Sequence, residues 1–162
     1  MSLIDHLERW LFGAIRLVVL GVGNSLRRDD AIGIEIVNKL EGRVPSSVFL
    51  VKSESTPENF IEPIVLFKPT HILIIDAALL TLSPGATKLL KSIEFSKVPI
   101  SSHDLPLQIF YEYMSISTSA KIAFLLIQPK DTSFGEGLTI ELSSVREKLV
   151  TSLLKLFECV IK

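Results

Sequence analysis

The chain has 162 residues, 48% hydrophobic and 22% charged, with a formal net charge of −1. That is the size of one globular domain with a real core, and its mixed charge gives no electrostatic footprint for DNA, RNA or anionic lipid. One cysteine, Cys159, excludes an internal disulfide and a thiolate metal site; it fits a reducing compartment, so the cytoplasm is the expected location.

In "MSLIDHLERWLFGAIR", Asp5, His6, Glu8 and Arg9 interrupt any signal-peptide apolar core, while Leu3, Leu7, Trp10 and Leu11 recur at helical spacing. Residues 1–15 therefore read as an amphipathic helical extension of a single domain spanning 1–162, packed on that domain or on a partner. "RLVVLGVG" (16–23) has the continuous apolar character of a strand buried on both faces. From Asp30 the pattern becomes a helical stripe, Ile32, Ile36, Val37 and Leu40, ending near Gly42 and Pro45. "SSVFLVKS" is a second strand. In "TPENFIEPIVLFKP", Thr56 is an expected N-cap with Pro57 at the first helical position, and Pro63 predicts a kink or two short turns.

"THILIIDAALL" is the third and most apolar strand, with Asp76 toward its end; it is too short, and carries an acid, to be a membrane span. A Pro-Gly turn in "SPGATKLLKSIEF" leads to a short strand that can add antiparallel to the sheet. A helix is expected from Pro106 through Tyr113, then a last long strand in "AKIAFLLIQP". A final helix presents Val145, Leu149, Leu153, Leu156, Phe157 and Val160 on one face. Alternating strands and helices predict an α/β fold, a three-layer α/β/α sandwich whose sheet is mostly parallel with one possible antiparallel strand.

Ligands of such sheets collect beyond the C-terminal strand ends, where Asp29, Asp30, Asp76 and His103 fall. Carboxylate oxygens and an imidazole are a plausible partial shell for a divalent transition metal with open positions. The plainer readings are that Asp29 or Asp30 caps the first helix and that His103 is a solvated loop residue. Asp76 resists a plain reading, because an acid inside "LIIDAAL" is costly unless paired or coordinating. His6 and His71 read as structural. A dinucleotide site fits poorly, since Leu26 takes the place of the third glycine and two acids would face a pyrophosphate. The alternative of another class is a non-catalytic receiver-like or metal-binding signalling module, with Asp76 as phosphoacceptor and Lys130 as its basic partner.

"GVGNSLRRDDAIG", "STPEN", "PTHILIIDAALLTLSPG", "SSHDLPL" and "FLLIQP" together resemble the hydrogenase maturation endopeptidases, in particular the branch that serves hydrogenase 3 type enzymes. The resemblance runs along nearly the whole chain. It implies a protease that trims the C-terminal extension of a nickel-iron hydrogenase large-subunit precursor, with Asp30, Asp76 and His103 as the metal-contacting and catalytic triad. The nickel would arrive with the precursor and not as a resident ion. Asn24, Asp29, Ser53, Glu54, Ser55 and Thr56 are the candidate substrate contacts. Where relatives often carry an acid and two glycines, this chain has "VKSES", and the helix before Arg16 has no counterpart in shorter relatives.

Overall fold

Each apolar run expected to be a strand takes its place in one five-stranded sheet. In the computed structural model, which describes residues 1–54, 56–91 and 104–161, the strands are β1 (Leu17–Val22), β2 (Val48–Ser53), β3 (His71–Ala77), β4 (Thr87–Lys91) and β5 (Lys121–Ile127). Their order is β2-β1-β3-β5-β4. Only β4 runs antiparallel, against β5. The mostly parallel sheet with one antiparallel edge is the expected architecture.

Every residue of β1 and β3 is buried, because helices cover both faces. Strand periodicity divides the core in two. Leu17, Val19, Leu73, Ile75, Ala123 and Leu125 face α1 (Leu3–Leu11), α2 (Ile32–Leu40) and α5 (Ile140–Val160). Val18, Leu20, Ile72, Ile74, Phe124 and Leu126 face α3 (Ile61–Phe67) and α4 (Asp104–Ser117), which contribute Ile64, Leu107, Phe110 and Met114. Burying each of the valine, leucine, isoleucine, phenylalanine and methionine side chains contributes roughly 1.5–3 kcal/mol before the entropy of ordering it is charged.

The amphipathic extension packs on the domain itself. Ser2 and Asp5 form a reciprocal capping box, and Leu7, Trp10 and Leu11 enter the core beside α5. Pro63 is accommodated by two short turns: a 3-10 turn, Pro57–Phe60, gives way to α3, and Pro63 falls in the first turn of that helix, where an amide has no intrahelical acceptor. Thr56 does precede the turn, yet its hydroxyl makes no capping bond; its carbonyl accepts from the Asn59 amide at 3.1 Å. Helix α4 begins two residues before and ends four residues after the expected limits. No helix among the described residues is long and apolar enough to cross a membrane.

His71 begins β3 in the core, 3% exposed, with its ring edge-on to Trp10 at 5.1 Å between centroids. Burial, and then the nearby positive charge of Lys121, hold its pKa below the ordinary 6.5. The unfolded chain therefore binds the His71 proton at a higher pH than the folded chain does. This contribution to stability is complete above 6.5 and is lost as pH falls toward the depressed value. Urea midpoints of the wild type and His71→Gln, measured from pH 8 to 5, should show the wild type losing more stability below 6.5. Parallel curves would contradict the burial of a neutral imidazole.

Candidate active site

The turn after β1 is brought against the end of β3 by glycine. Gly33, in the first turn of α2, faces backbone: a Cβ there would collide with the Ile75 carbonyl and lie 2.6 Å from the Val22 carbonyl oxygen. Gly21 is equally close to the Gly33 carbonyl. Two missing side chains thus let α2 sit directly on β1 and β3. The 3-10 turn Arg28–Ala31, which carries Asp29 and Asp30, leads into that helix and packs against β3.

Register aligns the rest. Gly21 pairs with Ile75, Val22 with Ser53 and Asp76 with Leu126, so Ser53, Val22 and Asp76 share one tier at the C-terminal edge. Asp76 continues the Ile72, Ile74 alternation toward the α3 and α4 face and is fully buried. Its Oδ1 accepts from the Ala77 amide at 2.8 Å.

The neighbouring acids diverge. Asp30, 3% exposed, accepts from the Asn24 amide through Oδ2 at 3.0 Å. Asn24 also shapes the turn, with Oδ1 accepting from the Leu26 amide at 2.9 Å and its carbonyl from the Arg27 amide at 3.1 Å. Asp29 is turned the other way, toward the loop that joins β5 to α5. Its Oδ2 accepts from the amides of Lys130 (2.9 Å) and Asp131 (3.0 Å), its Oδ1 from the Thr139 amide (2.8 Å), and both oxygens lie within 3.0 Å of the Thr139 hydroxyl. The plainer reading, in which Asp29 or Asp30 caps the helix, gives way to a long-range role for Asp29: no side chain caps its own 3-10 turn or α2.

Glu54 borders the same edge. Its carbonyl accepts from the Gly23 amide at 3.0 Å, and its carboxylate receives the Ser25 hydroxyl at 3.2 Å. Ser53 is buried beside it. Ser55 and His103, both singled out from the sequence, lie outside the described residues. Among the described residues, no three His, Cys, Asp or Glu side chains group as a metal shell. Asp30 and Asp76 supply two buried carboxylates at adjacent strand ends, an oxygen donor set suited to a divalent cation that would offset their desolvation.

Lys130, the residue a receiver would need at its acceptor, instead donates to Glu141 at 3.0 Å at the start of α5, and its amide serves Asp29. No local pattern signals what the β5–α5 loop contributes, because Thr139 is 110 positions from its partner.

Comparison with known proteins agrees with the peptidase reading. The model of the hydrogenase maturation protease family matches residues 34–157. A Methanocaldococcus jannaschii protein assigned to the hydrogenase maturation proteases is 36% identical over 151 residues, covering 88% of this chain and 89% of that one. The hydrogenase 3 maturation protease of Escherichia coli K12 is 28% identical over 75% of this chain and 78% of its own. The crystal structure of the nickel-iron hydrogenase maturation protease HycI from Thermococcus kodakarensis superposes with a TM-score of 0.85, at 26% identity, over 94% of this chain and 99% of that chain. The chain belongs to the hydrogenase maturation protease family.

Proposed function

We propose that this protease removes the C-terminal extension of a nickel-iron hydrogenase large-subunit precursor after nickel insertion, and that it recognises the precursor's nickel through Asp30, Asp76 and His103. The observation that carries the reading is the convergence of two buried carboxylates, on β3 and on the turn after β1, at one edge of the sheet. A precursor that presents a divalent cation there brings positive charge to two buried carboxylates. The ion is cargo of the substrate and not a resident cofactor.

Holding that cation fixes the precursor tail, so one peptide bond is positioned for hydrolysis, and orientation supplies much of the rate. A metal in such a place polarises a carbonyl or activates a water. The proton taken from that water goes to Asp30 or Asp76; both oxygens of Asp29 are occupied by fixed donors. Ser53, Glu54, Ser55 and Thr56, with Asn24, are the proposed contacts along the tail; Asp29, the sixth candidate contact, is turned to the β5–α5 loop and is assigned a supporting place instead. The protein acts in the cytoplasm.

Intact-mass measurement tests this reading. Incubation with a cognate nickel-loaded large-subunit precursor should shorten it by one C-terminal peptide and leave its N-terminus unchanged. A precursor of unchanged mass across several cognate candidates would contradict the proposal.

A further inference from the structure

The β5–α5 loop is built onto the turn that carries Asp30. Besides the Asp29 carboxylate contacts, the Asp29 amide donates to the Asp131 carbonyl (3.0 Å), the Arg28 amide to the Gly135 carbonyl (3.0 Å) and the Gly135 amide to the Leu26 carbonyl (2.8 Å). Arg27 adds a bond from Nε to the Thr132 carbonyl at 3.1 Å. Arg28 has φ +43°, a left-handed conformation that a non-glycine residue holds only when its surroundings impose it. Its guanidinium lies over Gly135, where a Cβ would meet it at 2.8 Å. These contacts over-determine the path of residues 26–29, and Asp30 is the next residue.

From this geometry we infer that Asp29 is a positioning residue of the reaction, clamping the Asp30 turn to Thr139 at the head of α5 so that the Asp30 carboxylate is held in its working place before substrate arrives. The inference rests on the proposed role of Asp30. Asp29 is fully buried and is met by amides and a hydroxyl, so its charge is balanced by oriented dipoles, including those at the N-terminal end of the 21-residue α5. With both carboxylate oxygens engaged by the β5–α5 loop, it acts through the backbone of the turn and not directly on substrate or metal. Its neighbour does the chemistry, and the fixed backbone between them carries the constraint. Pre-organisation of this kind acts on the rate of the bound complex, because a misplaced carboxylate is penalised at every turnover.

Thr139 offers a test remote from the chemistry. Thr139→Val keeps the shape and the amide donor but deletes the hydroxyl that reaches both Asp29 oxygens. Processing of the nickel-loaded precursor should show kcat falling about tenfold, with KM and the pH profile unchanged, at a temperature where the variant is fully folded by circular dichroism. Thr139→Ser should restore kcat to within about twofold. Asp29→Asn should lower kcat by about a hundredfold, again without shifting the pH profile. Wild-type kcat in folded Thr139→Val and Asp29→Asn would overturn the positioning role, as would a pH profile that moves with Asp29. Full activity of Asp30→Asn would instead overturn the reading of Asp30 itself, so the two failures are distinguishable.

Discussion

Replacing Asp76 with alanine is expected to lower precursor processing by roughly a thousandfold or more while the protein still folds. The carboxylate is fully buried at the end of the central strand, in a tier otherwise made of apolar or small groups. Relief from desolvating a carboxylate there opposes the loss of its bond from the Ala77 amide, so thermal stability should stay near the wild-type value. If Asp76 were a structural acid, the opposite pattern would hold: the variant would melt early and the folded fraction would remain active. Single-turnover cleavage together with a thermal melt separates these outcomes. A folded, active Asp76→Ala protein would contradict the metal-reading site.

The largest stability effect is expected at Gly33, where Gly33→Ala should destabilise by about 3 kcal/mol or more. Helix propensity alone argues the reverse, since alanine is favoured over glycine inside a helix by about 1 kcal/mol. Sterics decide the sign. The added Cβ would strike the Ile75 carbonyl, and it would also come within 2.9 Å of the Val22 amide nitrogen, two backbone groups that cannot rotate away. Helix α2 would have to lift from the sheet, and the turn bearing Asp30 would lift with it. Gly42 provides the contrast: its φ is +74° but no atom lies within 4 Å of its Cβ position, so Gly42→Ala should cost only about 1 kcal/mol, from backbone conformation alone. Urea denaturation of the two variants measures the difference. A Gly33→Ala protein as stable as the wild type would show that α2 does not sit on the sheet in this way.

Much of the fold was legible because burial on two faces leaves an unmistakable trace. "RLVVLGVG" and "HILIID" are short, rich in Val and Ile and apolar without alternation, as strands of a sheet covered on both sides are. The antiparallel β4 was readable from the Pro-Gly turn before it, and the break in the α3 segment from Pro63. The site was legible in part. Asp76 stands out because an acid in an apolar strand needs a reason, and Asp30 was singled out with it. The division of labour between Asp29 and Asp30 was not readable. Both precede a helix, and either could have capped it; what separates them is a loop 101 to 110 residues away whose amides converge on one carboxylate. Long-range pairing of backbone donors leaves no periodicity in a sequence. The left-handed Arg28 is silent for a similar reason, since arginine carries no local signal for that conformation and is held there by Gly135. Local patterns also could not decide whether the N-terminal helix packs on the domain or on a partner; only the burial of Leu7, Trp10 and Leu11 in the core does so.

In the proposed reaction, buried carboxylates read a cation carried by the precursor. Incubating the enzyme with nickel-loaded and nickel-free forms of the same precursor, and comparing intact masses over time, tests this recognition. Loss of the C-terminal peptide from the loaded form alone is the predicted result. Equal cleavage of both forms would contradict nickel as the signal that Asp30 and Asp76 recognise.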